Sequence, residues 1–199
     1  VSDEGRERIV DHVSFDVRAG SVFGIVGESG SGKTLTMLAV MGLLPSNLRV
    51  AGGEVWLEGE NLLTLSAEEL RKIRGGRLAM IFQDPMTSLN PVINVGKQIG
   101  EIIEIHNPSL SRGARKDRVV ELLSLVGIPD PGRRYKQFPH EFSGGMRQRA
   151  MIAMAVANAP TLLIADEPTT ALDVTIQAQV MEILAEVRER TNTSMVLVT

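Results

Sequence analysis

The stretch Gly27-Glu28-Ser29-Gly30-Ser31-Gly32-Lys33-Thr34 has the pattern G-x-x-x-x-G-K-T and decides the fold of this chain. It follows a short apolar run, residues 21–26, that predicts a buried strand. After it, apolar residues recur at helical spacing from 35 to 41, and Pro45 is the predicted end of that helix. A strand, a glycine-rich loop and a helix in this order are typical of a phosphate-binding site. A chance match in a Gly/Ser-rich turn is the alternative, and the flanking strand and helix weigh against it.

The residue types of this glycine loop (residues 27–34) suit a triphosphate, which needs several donors to converge on it. Gly27, Gly30 and Gly32 keep the backbone bare and tolerate positive φ, so that loop N–H groups can point inward. The helix that follows adds the positive end of its dipole. Lys33 brings a positive charge to the β- and γ-phosphates, and the hydroxyl of Thr34 is a ligand for Mg²⁺. All eight loop residues are therefore candidate nucleotide-binding residues.

The composition is that of an ordinary globular protein. The 199 residues suffice for one domain, or for one domain with a subdomain, and 43% of them are apolar. The net charge of −3 does not indicate a broad nucleic-acid-binding face. Because the sequence has no cysteine, disulfides and thiolate metal sites are excluded within it, which fits a reducing compartment. No apolar run approaches the roughly 20 residues that span a bilayer.

Patterns around the glycine loop predict a small antiparallel sheet beside the core. Residues 8–18 alternate weakly between apolar and polar and predict a strand, and residues 52–59 predict another strand bounded by glycines. Ser66 and Glu69 have the spacing of a capping box at the start of a helix.

The middle of the chain predicts a buried strand followed by a block of helices. Residues 78–82 are apolar and lead into Gln83, and active groups collect where core strands of α/β proteins end. Helical spacing then extends to about residue 157, with Gly127 as a helix C-cap. Residues 143–145, Ser-Gly-Gly, open a further helix and offer a second anion-binding end. Taken alone, a plain turn capped by Ser143 is the simpler interpretation.

Two adjacent acids follow another apolar run. Residues 161–165 predict a buried parallel strand, so Asp166 and Glu167 stand at its C-terminal end, where ligands bind. Successive strand residues point to opposite sides, so the two acids need not share one task. Asp166 is placed to hold Mg²⁺ and Glu167 to polarise a water against the γ-phosphate, although a strand ending in solvated acids is the alternative. A turn at residues 170–173, a helix and a last strand at 195–198 that closes the sheet complete the prediction.

Together these stretches resemble, over almost the whole chain, the ATP-binding subunit of an ABC transporter. The matching positions are residues 27–34 for Walker A, Gln83 for the Q-loop, residues 143–147 for the signature, residues 166–167 for Walker B with its catalytic glutamate, and Asp173 for the D-loop. The implied fold is α/β: a P-loop NTPase (RecA-like) core with a flanking antiparallel β subdomain and an inserted α-helical subdomain.

The resemblance also implies segment boundaries and a subfamily. The core and its β subdomain are expected at 1–88, the helical subdomain at 89–157, and the continued core, truncated at its C-terminal end, at 158–199. Residues 82–91 and 167–175 are similar to the importers of oligopeptides, dipeptides and, in some members, nickel. The predicted function is the ATPase subunit of a peptide importer. An importer of nickel or another small solute, or a soluble ABC ATPase, is the alternative.

In that family, ATP and Mg²⁺ bind in a site shared by two subunits. The resemblance implies that Thr34, Gln83 and Asp166 serve Mg²⁺, that Glu167 is the general base, and that Lys33 and Gln83 assist catalysis. Gln83 also senses the γ-phosphate and the membrane subunit.

The same resemblance implies the partners. Ser143, Gly144 and Gly145, with Asp173, are expected to act on the nucleotide of a second ATPase subunit, a copy or a paralogue, in a head-to-tail dimer. Membrane permease subunits are the other direct partners, and a solute-binding protein is an indirect one. The expected location is the cytoplasmic face of a bacterial cell membrane, and no nucleic acid is expected.

This sequence departs from the family pattern at three places. Phe142 and Met146 replace the usual Leu and Gln of the signature, a change that should leave phosphate binding intact. Residues 1–14 contain no aromatic side chain to stack on adenine, and Phe15 falls within a strand pattern, so the stacking residue is unassigned. The histidine that the family carries after the last strand is missing from residues 1–199, and the chain's three histidines cannot replace it. Residues 1–199 are therefore expected to bind nucleotide and hydrolyse it slowly.

Two rival functions remain open. A soluble ABC ATPase of DNA repair or translation usually has long coiled coils or two cassettes, and neither pattern is visible in this sequence. A nucleotide-binding scaffold without catalysis is disfavoured by the presence of Lys33, Asp166 and Glu167.

Overall fold

The computed structural model describes residues 2–3, 7–83, 88–169 and 173–199, and its centre is a parallel β-sheet. The strands are β1 (Ser2–Asp3), β2 (Glu7–Arg8), β3 (Val22–Ile25), β4 (Leu48–Arg49), β5 (Trp56–Leu57), β6 (Glu60–Asn61), β7 (Leu78–Ile81), β8 (Leu162–Asp166) and β9 (Ser194–Val198). The α-helices are α1 (Lys33–Met41), α2 (Ala67–Ile73), α3 (Val95–His106), α4 (Arg112–Leu125), α5 (Pro131–Arg134), α6 (Gly144–Ala155) and α7 (Val174–Thr191). Short 3₁₀ helices cover Leu62–Thr64 and Pro139–Glu141.

The parallel sheet has the order β3-β9-β8-β7 within the described residues. Strands β7 and β8 are mostly buried apolar runs because helices cover both faces of such a sheet. Side chains of β7 alternate accordingly: Ala79 and Ile81 join one hydrophobic cluster, while Leu78 and Met80 join the other. The last strand exists as predicted, but β9 lies between β3 and β8 instead of closing the sheet at an edge.

The predicted antiparallel structure is present in two small pieces. Strand β1 pairs with β2 and with β4, and β5 pairs with β6 in a hairpin. The hairpin turns at Glu58 and Gly59, which both have positive φ, the requirement of a tight turn whose twist matches that of the strands.

The predicted strand over residues 8–18 is wrong beyond Arg8. His12 has φ 48°, a left-handed conformation that interrupts an extended run, and Val13 is exposed. Phe15 and Val17 do turn toward the core, and the ring of Phe15 stacks on Phe23 with centroids 5.0 Å apart. The alternation is therefore real, yet the described residues 9–18 lie in no strand of any sheet.

Helix ends follow local side-chain chemistry. The capping box before α2 is confirmed: Oγ of Ser66 accepts from the Glu69 N–H, and the Glu69 carboxylate accepts from the Ser66 N–H. Helix α1 ends at Met41, before Pro45, because Gly42 adopts a left-handed cap with φ 63° and donates its N–H to Ala39 O.

The block of helices predicted between the core strands is also present. Helix α3 packs on α4 and α6, and α4 packs on α5 and α6. Gly127, with φ 69°, ends α4 as predicted. The buried apolar residues of this block are continuous with one face of the sheet. On α3, on α4 and at the end of α4 they include Val95, Ile99, Ile103, Val119, Leu122, Leu123 and Val126. Among the described residues, no helix is at once long and apolar enough to cross a membrane.

Candidate active site

The glycine loop connects β3 to α1, as its sequence predicted, but the predicted burial of the strand is wrong: the residues of β3 are exposed or half-buried, because β3 is an outer strand of the described sheet. Gly30 and Gly32 have φ of 82° and 89°, a region that side chains with a Cβ rarely adopt. At Gly32 a Cβ would also lie 2.6 Å from Cγ2 of Val10, too close for any real contact. Glycine is therefore required there by both backbone conformation and space.

The backbone of the glycine loop is fixed at both ends. The N–H of Gly27 donates to the carbonyl of Thr199 at 3.2 Å, just after β9. The ammonium of Lys33 donates to the carbonyls of Gly27 and Glu28, at 2.6 and 3.0 Å. Gly32 is the N-cap of α1, no side chain caps that helix, and its first turn has no acidic residue. The first-turn N–H groups of α1 and its positive dipole end therefore keep their capacity to bind an anion.

The glycine loop and the end of β8 meet in one hydrogen bond. Oγ1 of Thr34 donates to Oδ1 of Asp166 at 3.2 Å, and α1 packs against β8. Asp166 is only 2% exposed. Burial raises the pKa of its carboxyl, the hydroxyl of Thr34 lowers that pKa in part, and the nearby charge of Glu167 raises it. A cation beside Asp166 would favour the ionised form.

Glu167 follows β8 and is held by different partners from those of Asp166. Its N–H donates to Val198 O at 3.0 Å, and its φ of 46° places a non-glycine residue in the left-handed region. The side-chain amide of Gln83 donates to Oε2 of Glu167 at 2.8 Å. Gln83 follows β7, the neighbour of β8, so adjacent parallel strands bring the two side chains together.

The predicted signature residues stand at the start of α6. Oγ of Ser143 accepts from the N–H of Met146 at 3.3 Å, which confirms the helix cap. Gly144 and Gly145 form the first turn of the helix. Phe142, which replaces the usual leucine, is buried in the apolar cluster, and Met146 packs against that cluster.

Asp173 caps another helix. Its Oδ1 accepts from the N–H of Ile176 at 3.0 Å at the start of α7, and α7 packs on α6. The structure thus gathers the glycine loop, Gln83 and the two acids, whereas Ser143 and Asp173 bond to the first turns of their own helices. The predicted turn at 170–172, and residues 84–87 of the importer-like stretch, lie outside the described residues.

One buried polar residue beside the site was missed by sequence reasoning. Gln148 on α6 is 2% exposed, and its side-chain amide donates to Pro168 O at 2.7 Å, directly after Glu167. The sequence did contain a signal. Gln148 lies three positions before Met151 and four before Ile152, so it is a polar residue on the apolar face of the predicted helix.

The donor set around Thr34 and Asp166 fits Mg²⁺ better than a metal caged by protein ligands alone. Within the described residues, no group of three or more His, Cys, Asp or Glu side chains could hold a metal ion. Mg²⁺ typically takes one or two carboxylate ligands and completes its shell with waters and substrate phosphates. A hydroxyl and a buried carboxylate 3.2 Å apart, next to an anion-binding loop, match that requirement.

A family model for ABC transporters matches residues 10–170. The chain belongs to the ABC transporter family. Over 198 residues it is 52% identical to a probable peptide ABC transporter ATP-binding protein, y4tR, of Sinorhizobium fredii, covering 99% of this chain and 59% of the relative. Over 196 residues it is 53% identical to the dipeptide transport ATP-binding protein DppD of Bacillus subtilis, covering 98% and 58%. The chain thus spans about three fifths of the length of these curated relatives.

A solved structure also resembles this ABC transporter chain. The dimeric ATP-binding cassette MJ0796, in a post-hydrolysis state bound to ADP and Pi, is 28% identical with a TM-score of 0.81. The match covers 93% of this chain and 77% of that one. The α/β architecture predicted from the sequence is confirmed by this likeness and by the parallel sheet described above.

Proposed function

We propose that this chain is the ATP-binding and hydrolysing part of an ABC importer of oligopeptides or dipeptides. The hydrogen bond between Thr34 and Asp166 carries the proposal, because it joins the end of the anion-binding loop to the strand whose next residue is Glu167. The names of the similar proteins, which are peptide and dipeptide transport ATP-binding proteins, favour peptides as the cargo.

In this function the glycine loop binds the phosphates of ATP. The N–H groups of Gly27 and Ser31 already bond to the carbonyls of Thr199 and Glu28. The other amides of the loop, the start of α1 without a side-chain cap and the ammonium of Lys33 together supply several donors and a full positive charge. In the structure, the Lys33 ammonium donates to two loop carbonyls. Its side chain therefore lies against the backbone that would surround the phosphates.

Thr34 and Asp166, assisted by Gln83, would hold Mg²⁺. When bound, the ion neutralises charge on the β- and γ-phosphates. Burial raises the pKa of the Asp166 carboxyl, so a neighbouring cation would stabilise its ionised form beside Thr34.

Glu167 is assigned as the general base that takes a proton from the attacking water. Phosphoryl transfer depends on positioning and on charge neutralisation more than on covalent help, so a carboxylate fixed beside the γ-phosphate is the required group. Gln83 touches this carboxylate and is assigned to its orientation.

The start of α6 is assigned to the nucleotide of a second ATPase subunit. Ser143, Gly144 and Gly145 offer N–H groups at a helix start, and Asp173 stands on the neighbouring helix α7. The dimeric state of the MJ0796 cassette supports pairing of two subunits, and the head-to-tail arrangement is part of this proposal.

The wider assembly and the segment boundaries belong to the same proposal. Membrane permease subunits are the direct partners, a solute-binding protein acts indirectly, and the site of action is the cytoplasmic face of a bacterial membrane. We also infer the division into segments 1–88, 89–157 and 158–199, which places α3 to α6 in the inserted helical segment.

Calorimetry of a Lys33→Ala variant tests the phosphate assignment. Affinity for ATP with Mg²⁺ should fall roughly 10- to 100-fold, since hydrogen bonds to a charged group contribute about 1.5–3 kcal/mol. Lys72→Ala is the matched control, because Lys72 is an exposed surface lysine that pairs only with Glu68 in the described structure. Equal affinity in the Lys33 variant and the control would refute the assignment of the glycine loop.

The cargo is tested with the complete transporter in vesicles. ATP-dependent uptake of a labelled dipeptide or oligopeptide should exceed that of nickel. Uptake of nickel alone, or binding of the chain to ribosomes or DNA in place of permease subunits, would favour one of the alternatives.

We further propose that residues 1–199 by themselves hydrolyse ATP slowly. The three histidines have other partners: His12 pairs with Asp11, Nε2 of His106 bonds to Arg74 O, and His140 stacks on Phe138. Phosphate release by residues 1–199 should fall well below that of the full-length protein. Equal rates would show that a further histidine is not needed.

A further inference from the structure

We propose that Gln148 is a positioning residue that fixes Glu167 and ties it to the start of the signature helix α6. The inference rests on the proposed function, in which Glu167 is the base. Its structural basis is the bond from the Gln148 side-chain amide to Pro168 O, 2.7 Å long and buried.

Glu167 needs such support because of its backbone. A non-glycine residue with φ 46° stores strain, and strained conformations persist only where the surroundings hold them. On one side, the Glu167 N–H bonds to Val198 O on β9. On the other side, Gln148 bonds to Pro168 O, and the side-chain amide of Gln177 donates to Thr169 O at a longer 3.3 Å. Among the described residues, the Gln148 bond is therefore a short, buried contact that holds the chain just after the base.

The same bond joins two parts of the proposed site. Gln148 lies five residues after Ser143, so along α6 it is about 7.5 Å from the helix start that is assigned to the partner's nucleotide. A small shift of α6 on nucleotide binding would move the Gln148 amide and, through Pro168, the backbone that carries Glu167. In the proposed dimer, the bond thus links two places within each subunit. One is the Ser143 end of α6, which contacts the nucleotide of the partner, and the other is Glu167, the base for the subunit's own nucleotide.

The test is a steady-state ATPase assay on the complete protein with a Gln148→Met variant. Methionine keeps the length and apolar contacts of the side chain and removes the N–H donor. The value of kcat should fall about 10- to 100-fold, since small misplacements of a reacting group cost that much. KM for ATP and calorimetric ATP affinity should stay within about twofold, because the glycine loop is untouched.

Thr193→Val is the matched control. Thr193 is also buried, and its Oγ1 donates at 2.8 Å to Pro160 O, before the opposite end of β8. The variant removes a buried bond to a proline carbonyl far along the strand from Glu167. It should lower Tm to a similar extent and leave kcat unchanged. A kcat loss in Thr193→Val as large as in Gln148→Met would show that the effect is general destabilisation and overturn the proposal.

A double variant separates positioning from packing. In a Glu167→Gln background, Gln148→Met should reduce the residual rate by less than about twofold, because the group that it positions is gone. A further tenfold loss would contradict a role through Glu167. Should Gln148→Met fail to fold, Gln148→Asn is the substitute. Asparagine retains the amide, but its side chain is one methylene too short to reach Pro168 O, so the same changes in kcat and KM are expected.

The outcomes also separate this inference from the proposed function. If Lys33→Ala and Glu167→Gln leave hydrolysis unchanged, the proposed function fails. If both impair hydrolysis while Gln148→Met keeps full kcat, the inference about Gln148 alone is wrong.

Discussion

The two glycine-rich helix starts of this chain, those of α1 and α6, differ in what caps them. At α1 the cap is Gly32, in a left-handed conformation and without a side-chain acceptor. At α6 the cap is Ser143, in an extended conformation, and its hydroxyl accepts from the Met146 N–H. Similar composition therefore serves two ends: one start keeps its donors for a ligand, and the other satisfies part of them within the protein.

The largest expected effect is the loss of ATP hydrolysis in a Glu167→Gln variant, which should leave ATP binding intact. Both helix starts are unchanged in this variant, and glutamine retains an oxygen that can accept from Gln83. ATP affinity should stay within about twofold, while hydrolysis falls roughly 100- to 10,000-fold because the base is lost. Affinity is measured by calorimetry and turnover by phosphate release, with exposed Glu189→Gln as the control. Unchanged turnover would remove Glu167 from the role of base.

The next largest effect compares glycines at the two helix starts. Gly32→Ala should lower the free energy of unfolding by about 2–3 kcal/mol, because alanine is strained at positive φ and its Cβ meets Val10. Gly144→Ala should be neutral or stabilise by up to about 0.5 kcal/mol, since its Cβ would enter open space on a helix. Denaturant unfolding measures both. Equal losses of unfolding free energy in the two variants would mean that glycine is no more necessary at the start of α1 than at the start of α6.

A smaller effect is expected from removing the side-chain cap of α6. Ser143→Ala should cost about 1 kcal/mol of unfolding free energy, and Ser143→Gly only a few tenths, as for other serine N-caps. Chemical denaturation of the two variants beside the wild type is the measurement. No loss in Ser143→Ala would contradict the contrast drawn between α1 and α6.

The smallest effect concerns a third helix start, that of α2. The hydroxyl and the N–H of Ser66 bond to the carboxylate of Glu69 and hold its pKa below the usual glutamate value. The pair therefore stabilises the fold at neutral pH, and this contribution is lost as the pH falls through the lowered pKa. Ser66→Ala should raise the pKa of Glu69 toward its usual value in an NMR titration. An unchanged pKa would exclude the capping box as its cause.

Features set by a few neighbouring residues could be predicted from the sequence. The capping box at Ser66 spans four residues, and the left-handed loop glycines follow from a motif of eight. The acids at the end of β8 were placed correctly because apolar runs identify parallel strands, whose C-terminal ends meet at one edge.

Features set by distant partners could not be predicted. Residues 9–18 alternate like a strand, yet a strand also needs a neighbour to bond, and that neighbour is not encoded locally. The order of the sheet places the last strand inside, which depends on how crossovers pack. Gln148 finds its acceptor 20 residues away, so its polar side chain on an apolar face was a signal without a visible partner.

Strand β9 has a mechanical consequence for this site. The carbonyls of two successive residues, Val198 and Thr199, receive the N–H groups of Glu167 and Gly27. Gly27 of the glycine loop and Glu167, the proposed base, thus bond to neighbouring peptide units of one strand. Because successive carbonyls of a strand point to opposite neighbours, a slip of β9 by one residue would turn Val198 O away from β8 and Thr199 O away from β3. Both hydrogen bonds would then be lost together, so the register of one inner strand fixes the glycine loop and Glu167 at the same time.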